Sequence, residues 1–583
     1  MYCSGWTIRI AVIVMFLVCT TPSRSQGPTP ATGSGANRAQ EQSGTRRVPF
    51  TISKETTYIV EPLDLDGYPD YVAALNHRYG QGVTPQNNAA VPYWYAMGPA
   101  RLPCDDDQRG RYLAGLGITR LPENGDCFVN TSRFAERLAE KMRESGQTVD
   151  KSYADAFYDE VKTAARRPWS KQEFPRVAAW LAANEKALEL LVEASNRPRR
   201  FDPLPNGKWI TWFNTQEISP FRNSFHRGLV DRNYAVQALA VRAMLRLNGG
   251  SVDSAWMDLL ACHRLAGLFA GGPSLNEYVA ALQLQELTWH AEQGMLESSR
   301  LSAAQITTMR EDLDRLPAIP SVVEKIDIGN RFEYLHSVCW MSRNLLPSLV
   351  ATPEQQALLR SLGIKPGDIA DWDVLFHQGN ASIDNVVAYI RKSTPAQREL
   401  LDREARLKSQ HAAAETREDI TLLRDILSQA EKNSDPQGIP KVTASAVALR
   451  RKALSERLAD FLCGAILTPA CRARDLEDRG RMRFELTQLA FALASYRADQ
   501  GAFPPSLTDL SPKYIAAVPT DIFIDSKLHY SLQAGGCLLY SVGPNRVDDG
   551  GKGAEDRSDI KDGFSLCDDI AVHLSAASTK KIP

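Results

Sequence analysis

The chain has almost no net charge: 68 Lys and Arg residues against 69 Asp and Glu residues leave −1 over 583 residues. A nucleic-acid surface requires a basic excess, so composition argues against that partner. Long apolar runs are also missing. The clearest one, Ile10 to Val18, is about half the ~20 residues that a bilayer-spanning helix needs, so no membrane span is expected in a mature chain. Local signatures of common chemistries are absent as well. No H-E-x-x-H, G-x-S-x-G, Walker loop or dinucleotide fingerprint occurs, and no CxxC or zinc-type cysteine spacing.

What is present is ordinary globular material, 43% hydrophobic and 23% charged. At about 100–200 residues per domain, the length suggests roughly three or four units. Residues 1–26 have the build of a signal peptide: Arg9, the short apolar run, then the small-x-small triplet Ser23-Arg24-Ser25. The expectation is an exported protein, periplasmic or extracellular. Residues 27–47 are rich in Gly, Pro, Ser, Thr and Gln and cannot offset the entropy of ordering, which makes them a disordered linker. Beyond the signal the chain keeps eight cysteines, an even number suited to an oxidising compartment. Spacing suggests disulfides Cys104–Cys127, Cys463–Cys471 and Cys537–Cys567, while a buried free thiol remains the other reading for each.

Residues 48–225 are expected to form a mostly helical domain. Strand character is confined to Thr57-Tyr58-Ile59-Val60 and Trp209-Ile210-Thr211-Trp212, and Thr84-Pro85 has the form of a helix start. Ser170-Lys171-Gln172-Glu173 is a capping box ahead of Val177, Trp180, Leu181, Leu188, Leu191 and Val192, whose spacing defines one apolar helix face. Residues 226–345 carry the clearest pattern. Tyr234 to Leu247 and Val252 to Phe269 are amphipathic and are separated by Asn248-Gly249-Gly250-Ser251, where a glycine suits the left-handed helix cap. Glu277 to Glu297 and Ala303 to Leu316 continue in the same style. The resulting fold class is mainly α, with stacked helical hairpins that are tetratricopeptide-like in architecture only, because the 34-residue period does not repeat. Residues 346–474 form a further helical region, including a long charged helix from Thr394 toward Asn433.

Two constellations suggest metal chemistry. Glu333-Tyr334-Leu335-His336 has the E-x-x-H spacing of half a di-iron site, and Glu286 and His290 sit one turn apart; a ferritin-like centre needs two such pairs and two further glutamates. If Glu286, His290, Glu333 and His336 converged, a metal-dependent or hydrolytic enzyme with a dispersed site would follow. Asp64-Leu65-Asp66-Gly67 lacks the glutamate spacing of an EF-hand and is better taken as an Asp-Gly turn.

Residues 475–583 should be a small α+β module. Leu486, Leu489, Ala490, Leu493 and Tyr496 fall at helical steps and need a sheet to pack on. Lys527 to Gln533 and Cys537 to Val542 supply two strands joined by Ala534-Gly535-Gly536, and Ile570 to Leu574 a third. Tyr496-Arg497-x-Asp499-x-Gly501-x-Phe503-Pro504-x-Ser506-Leu507, then Val518-Pro519-Thr520-Asp521, then Ser541-Val542-Gly543-x-Asn545 with Gly550-Gly551 and Asp559-Ile560, resemble the globular part of the major pseudopilin of type II secretion.

That resemblance implies a calcium-binding loop, with side-chain roles for Asn545 or Asp548 and for Asp559. It departs from the family where Phe461 to Ala470, broken by Gly464 and Pro469, replaces a long apolar assembly helix. Stretches such as Gly82-Val83-Thr84-Pro85-x-Asn87-Asn88-Ala89-Ala90 also resemble exported proteins of planctomycete-type bacteria, a likeness that brings no activity with it. Together these features suggest an exported interaction or scaffold protein with a protein partner in the cell envelope. The alternatives are the dispersed-site enzyme and an accessory of a type II secretion-like machine.

Overall fold

A computed structural model describes residues 48–104, 106–122, 126–150, 152–204, 219–298, 301–349, 370–392, 438–553 and 567–575, with isolated positions between 397 and 421. The expected signal and linker, Trp209-Ile210-Thr211-Trp212, most of the long charged helix and Asp559 lie outside the described residues. Within them the chain is mainly helical, with a small sheet-containing C-terminal region.

Helix α1 (Tyr71–Gly80) starts where the Asp70 carboxylate accepts from the Ala73 N–H at 2.9 Å, which satisfies one of the unpaired donors of the first turn. The segment before it is a turn and not the expected strand. The Thr57 hydroxyl donates to the carbonyls of Ser53 and Ile59, and Tyr58 adopts a φ of 62°, so side chains have taken over the pairing that a strand would need. Thr84-Pro85 likewise makes a turn, closed by Asn87 Oδ1 on the Thr84 N–H at 2.8 Å. Helix α2 (Ala90–Met97) begins after it and buries Pro92, Tyr93 and Trp94.

Next come α3 (Asp106–Gly115), α4 (Thr131–Glu144), α5 (Tyr153–Ala164), α6 (Pro175–Ala183) and α7 (Glu185–Ser195). The single helix expected after Ser170 is two. Asn184 divides it: its buried side chain accepts from Val129 N–H and donates to the carbonyls of Val129 and Trp180, which ties the break to the loop before α4. The face through Val177, Trp180, Leu181, Leu188 and Leu191 is buried as its spacing requires.

Helices α8 (Ser219–Asn248), α9 (Val252–Ala270), α10 (Leu275–Glu297) and α11 (Ala303–Asp314) form the middle of the body. α9 packs against both α8 and α10. Gly250 takes the left-handed conformation, φ 82°, between α8 and α9. Alanines 238, 240, 243, 255 and 261 are buried there, and Asp258 of α9 receives Arg242 at 2.6 Å and Arg246 at 2.8 Å from α8. α12 (Val322–Glu324) runs through a π-helical segment, Lys325–Asn330, into α13 (Arg331–Leu349). The segment fits under the loop between α9 and α10 because Gly329 has no side chain: a Cβ there would overlap the Pro273 carbonyl. Buried Arg331 joins α13 to α14 (Trp372–Lys392) through Asp384 at 2.6 Å and Asn380 Oδ1 at 3.1 Å.

The last helix, α15 (Gly438–Gln500), crosses residue 475 without a break and continues through Gly464 and Pro469. Proline in a helix interior costs one hydrogen bond and normally about 3 kcal/mol, so packing along α15 must outweigh it. It contacts α10, α11 and α14, and its C-terminal part carries the sheet. That sheet is β3 (His529–Gln533), β4 (Gly536–Ser541) and β5 (Ile570–Ser575), antiparallel in the order β3-β4-β5, after a two-stranded ribbon of β1 (Thr520–Asp521) and β2 (Ser526–Lys527). Leu486, Leu489 and Leu493 on α15 are fully buried, as are Leu539 and Val572 of the sheet. Each such side chain contributes roughly 1.5–3 kcal/mol. No helix among the described residues is long and apolar enough to cross a membrane.

No disulfide joins any two of the eight described cysteines. Two of the suggested bridges conflict with the fold. Cys463 and Cys471 lie on the same helix, about 12 Å apart along its axis, beyond the ~7 Å limit between bridged Cα atoms. Cys537 sits opposite Leu574, whereas Cys567 precedes β5 at the far end of the sheet.

Candidate functional site

The four residues of the dispersed-site reading do not assemble. Glu286 and His290 belong to α10, where Glu286 pairs with Arg483 of α15 at 2.7 Å and the His290 ring lies against Trp289. Glu333 and His336 belong to α13, and His336 faces Tyr71 of α1, with its imidazole held below its usual range by burial and by Arg343. No group of three or more His, Cys, Asp or Glu side chains among the described residues is arranged to hold a metal ion.

The acidic loop after β4 is more informative. Asn545 accepts from the Val547 N–H at 2.8 Å and donates to Asp549 at 3.0 Å. Asp548 accepts from the Gly550 N–H and the Tyr540 hydroxyl, both at 2.9 Å, and these bonds hold it below the usual carboxylate range. Both residues therefore shape the turn.

Sequence reasoning missed Asp568 and Asp569, which enter from just before β5. Asp568 meets Arg479 of α15 at 2.7 Å. Asp569 is only 5% exposed; one carboxylate oxygen accepts from the N–H groups of Gly551 at 2.8 Å and Asp549 at 3.1 Å. The other oxygen is buried without a hydrogen-bond partner. Burial, together with the like charges of Asp549 and Asp548, pushes Asp569 up to about 6. The tandem pair Asp548-Asp549 followed by Asp568-Asp569 was the available signal; what concealed it was the chain separation.

A second feature had no local signal at all. A cleft of ≈1220 Å³ opens where the end of α1, the connector 195–200, α9, α10, the Pro-rich segment 316–321 and α15 meet. Seven arginines line it against four carboxylates. Some of these charges are already used: Arg474 pairs with Glu477 at 2.6 Å and Asp478 at 3.1 Å, and Arg200 with Asp202 at 2.5 Å. Others reach only neutral acceptors. Arg199 donates to the Gln81 carbonyl at 2.7 Å and Arg264 to Asn196 Oδ1 at 2.8 Å.

Behind the inner end of the cleft lies a charged core. Arg232 and Arg200 reach Glu277 at 2.8 and 3.4 Å, and both guanidinium groups lie over the Phe269 ring. Asp202 also accepts from the Trp94 indole at 2.9 Å and from the Tyr112 hydroxyl. Lys325, at the start of the π-helical segment, is fully buried with its amine 5.9 Å from the Tyr79 ring centre and no hydrogen-bond partner; burial holds it below its usual range. No protein-family model, curated protein or solved structure matches the chain.

Proposed function

We propose that the chain is an exported interaction or scaffold protein of the cell envelope, in which the helical body is a rigid frame and the cleft is the surface that receives a protein partner. The observation that carries this reading is the make-up of the cleft: its walls come from positions as far apart as Arg78 and Phe484, so only the assembled body presents it. Gly267 lines it, and a Cβ added there meets nothing within 4 Å. A Gly267→Leu side chain therefore starts into the cleft from the α9 wall, its Cβ meeting no atom of the fold. Immobilised full chain should capture a specific envelope partner that the Gly267→Leu variant loses. Equal capture by both contradicts the cleft as receiving surface, and no specific capture contradicts the interaction role.

A second reading concerns the C-terminal region, taken as a pseudopilin-like module with a calcium-binding loop. It is favoured by Asp569, whose unpartnered buried oxygen lies among carboxylates of its own sign. Hard oxygen donors on a glycine-permissive loop are what calcium takes. The residues to hold it would be Asp569 and Asp549 with the side-chain oxygen of Asn545, and the ion would offset the negative charge that Asp549 and Asp548 place beside Asp569.

A further inference from the structure

The charges in the cleft divide into two sets. Arg197, Arg200 and Arg474 are committed to carboxylates of the fold. Arg78, Arg199, Arg264 and Arg481 have no carboxylate within ion-pair distance among the described residues, and Arg78, Arg199 and Arg481 are exposed. These four come from α1, the connector before α8, α9 and α15, so they surround the opening and do not sit on one face. Of the four cleft carboxylates, Glu477 and Asp478 share Arg474, and Asp314 and Glu324 complete the set. The opening therefore carries an excess of guanidinium groups, which are shaped to hold carboxylates through paired N–H donors.

The Tyr79 hydroxyl and the Nε atoms of Arg200 and Arg474, all on cleft-lining residues, are buried with no hydrogen-bond partner. Such orphans cost about 1–3 kcal/mol each unless something accepts from them.

The lining is not uniformly polar. Leu268, Leu282, Leu313, Leu316, Ile319 and Phe484 line the cleft together with the arginines. A small inorganic anion would leave that apolar surface wet, and the volume exceeds the ~300–1,000 Å³ usual for small-molecule sites. A polypeptide offers both components at once, with carboxylates for the rim and apolar side chains for the floor.

We infer that the cleft binds an acidic peptide segment in which Asp or Glu residues alternate with apolar ones. This inference rests on the reading of the cleft as a receiving surface and adds the chemistry of what it receives. Arg199 and Arg481 hold the ligand's carboxylates from opposite sides, and the leucines and Phe484 take its apolar side chains.

Fluorescence anisotropy of the full chain with a short labelled peptide alternating Glu and Leu tests it, alongside peptides alternating Gln with Leu and Glu with Ser, and inorganic polyphosphate as competitor. The Glu-Leu peptide should bind, about tenfold or more tighter than either relative, and weaken as salt rises from about 0.05 to about 0.5 M. Arg199→Glu and Arg481→Glu should each weaken it about tenfold, Arg481→Glu with unchanged melting temperature because Arg481 is exposed, and Arg199→Glu with a small fall for the lost bond to the Gln81 carbonyl. Equal binding of the Gln-Leu peptide, or indifference to both reversals, overturns the role of charge. Equal binding of the Glu-Ser peptide, or full displacement by polyphosphate, overturns the peptide in favour of a simple anion. If no peptide binds while Gly267→Leu still abolishes capture of an envelope partner, the ligand class is wrong and the receiving surface stands; if capture also fails, both readings fall.

Discussion

Glu277 in the helical body and Asp569 beside the sheet are buried to nearly the same extent, 7% and 5% exposed, and their surroundings drive them in opposite directions. Burial would raise both. At Glu277, Arg232 and Arg200 overcome it and hold the carboxyl below its usual range. At Asp569 the neighbouring charges, Asp549 and Asp548, have the same sign and add to the rise that burial causes, despite the N–H bonds from Gly551 and Asp549. Loss of water sets the cost of a buried carboxylate, and local charge balance decides whether the fold meets that cost by itself. The core around Glu277 is internally compensated. The Asp569 carboxyl, beside Asp549 and Asp548, and the guanidinium groups at the cleft rim are not compensated in this way.

The strongest way to break this comparison is to remove the compensation. Glu277→Ala leaves Asp202, 2.5 Å from Arg200 and 3.8 Å from Arg232, as the carboxylate between two buried guanidinium groups and should cost about 3 kcal/mol in chemical denaturation; a loss below about 1 kcal/mol would show that the core is not held this way. Asp258 sharpens the contrast as an intermediate case. It is buried, and its carboxyl stays above its usual range even with Arg242 and Arg246 beside it, so the pairing offsets burial only in part. Arg246 also keeps access to solvent. Asp258→Asn should cost about 2 kcal/mol by the same assay, clearly less than Glu277→Ala.

At the uncompensated site the sign reverses. A carboxyl whose folded value lies above its unfolded one contributes stability below the unfolded value, near 3.8, and loses it as pH rises through about 6. Asp569→Asn keeps an oxygen acceptor for the two N–H groups and removes the charge. In calcium-free buffer at pH 7 it should stabilise the protein by about 1 kcal/mol, after allowance for solvent screening, and the advantage should vanish below about pH 4. Thermal melts across that range check both the size and the sign. The smallest effect belongs to an exposed pair with no bearing on either site: Glu311→Ala, which removes the contact with Arg315, should change stability by less than about 0.5 kcal/mol.

How much of this was legible depended on how locally each feature is encoded. The buried stripe through Val177, Trp180, Leu188 and Leu191, the break at Gly250 and the three strands of the sheet follow from periodicity and turn chemistry within a few residues. Local patterns misled where one side chain redirected the backbone: the Thr57 hydroxyl turned a strand-like run into a turn, and Asn184 divided a helix. α15 ran on through Pro469 because contacts with distant helices outweigh a local preference. The cleft was beyond reach for the same reason, since Arg78, Arg199, Arg264 and Arg481 have nothing in common until the body is folded. Asp569 could be seen as part of a tandem acidic pair, but its lack of compensation depends on Asp548 and Asp549 about twenty residues earlier.

The claim that uncompensated charge marks the ligand sites is tested most directly by calorimetric titration of calcium into the full chain and into its Asp569→Asn variant. The parent chain should bind calcium saturably, with a rise in melting temperature at millimolar calcium, and the variant should lose both. Absence of binding to the parent, or identical binding to the two, would contradict the claim.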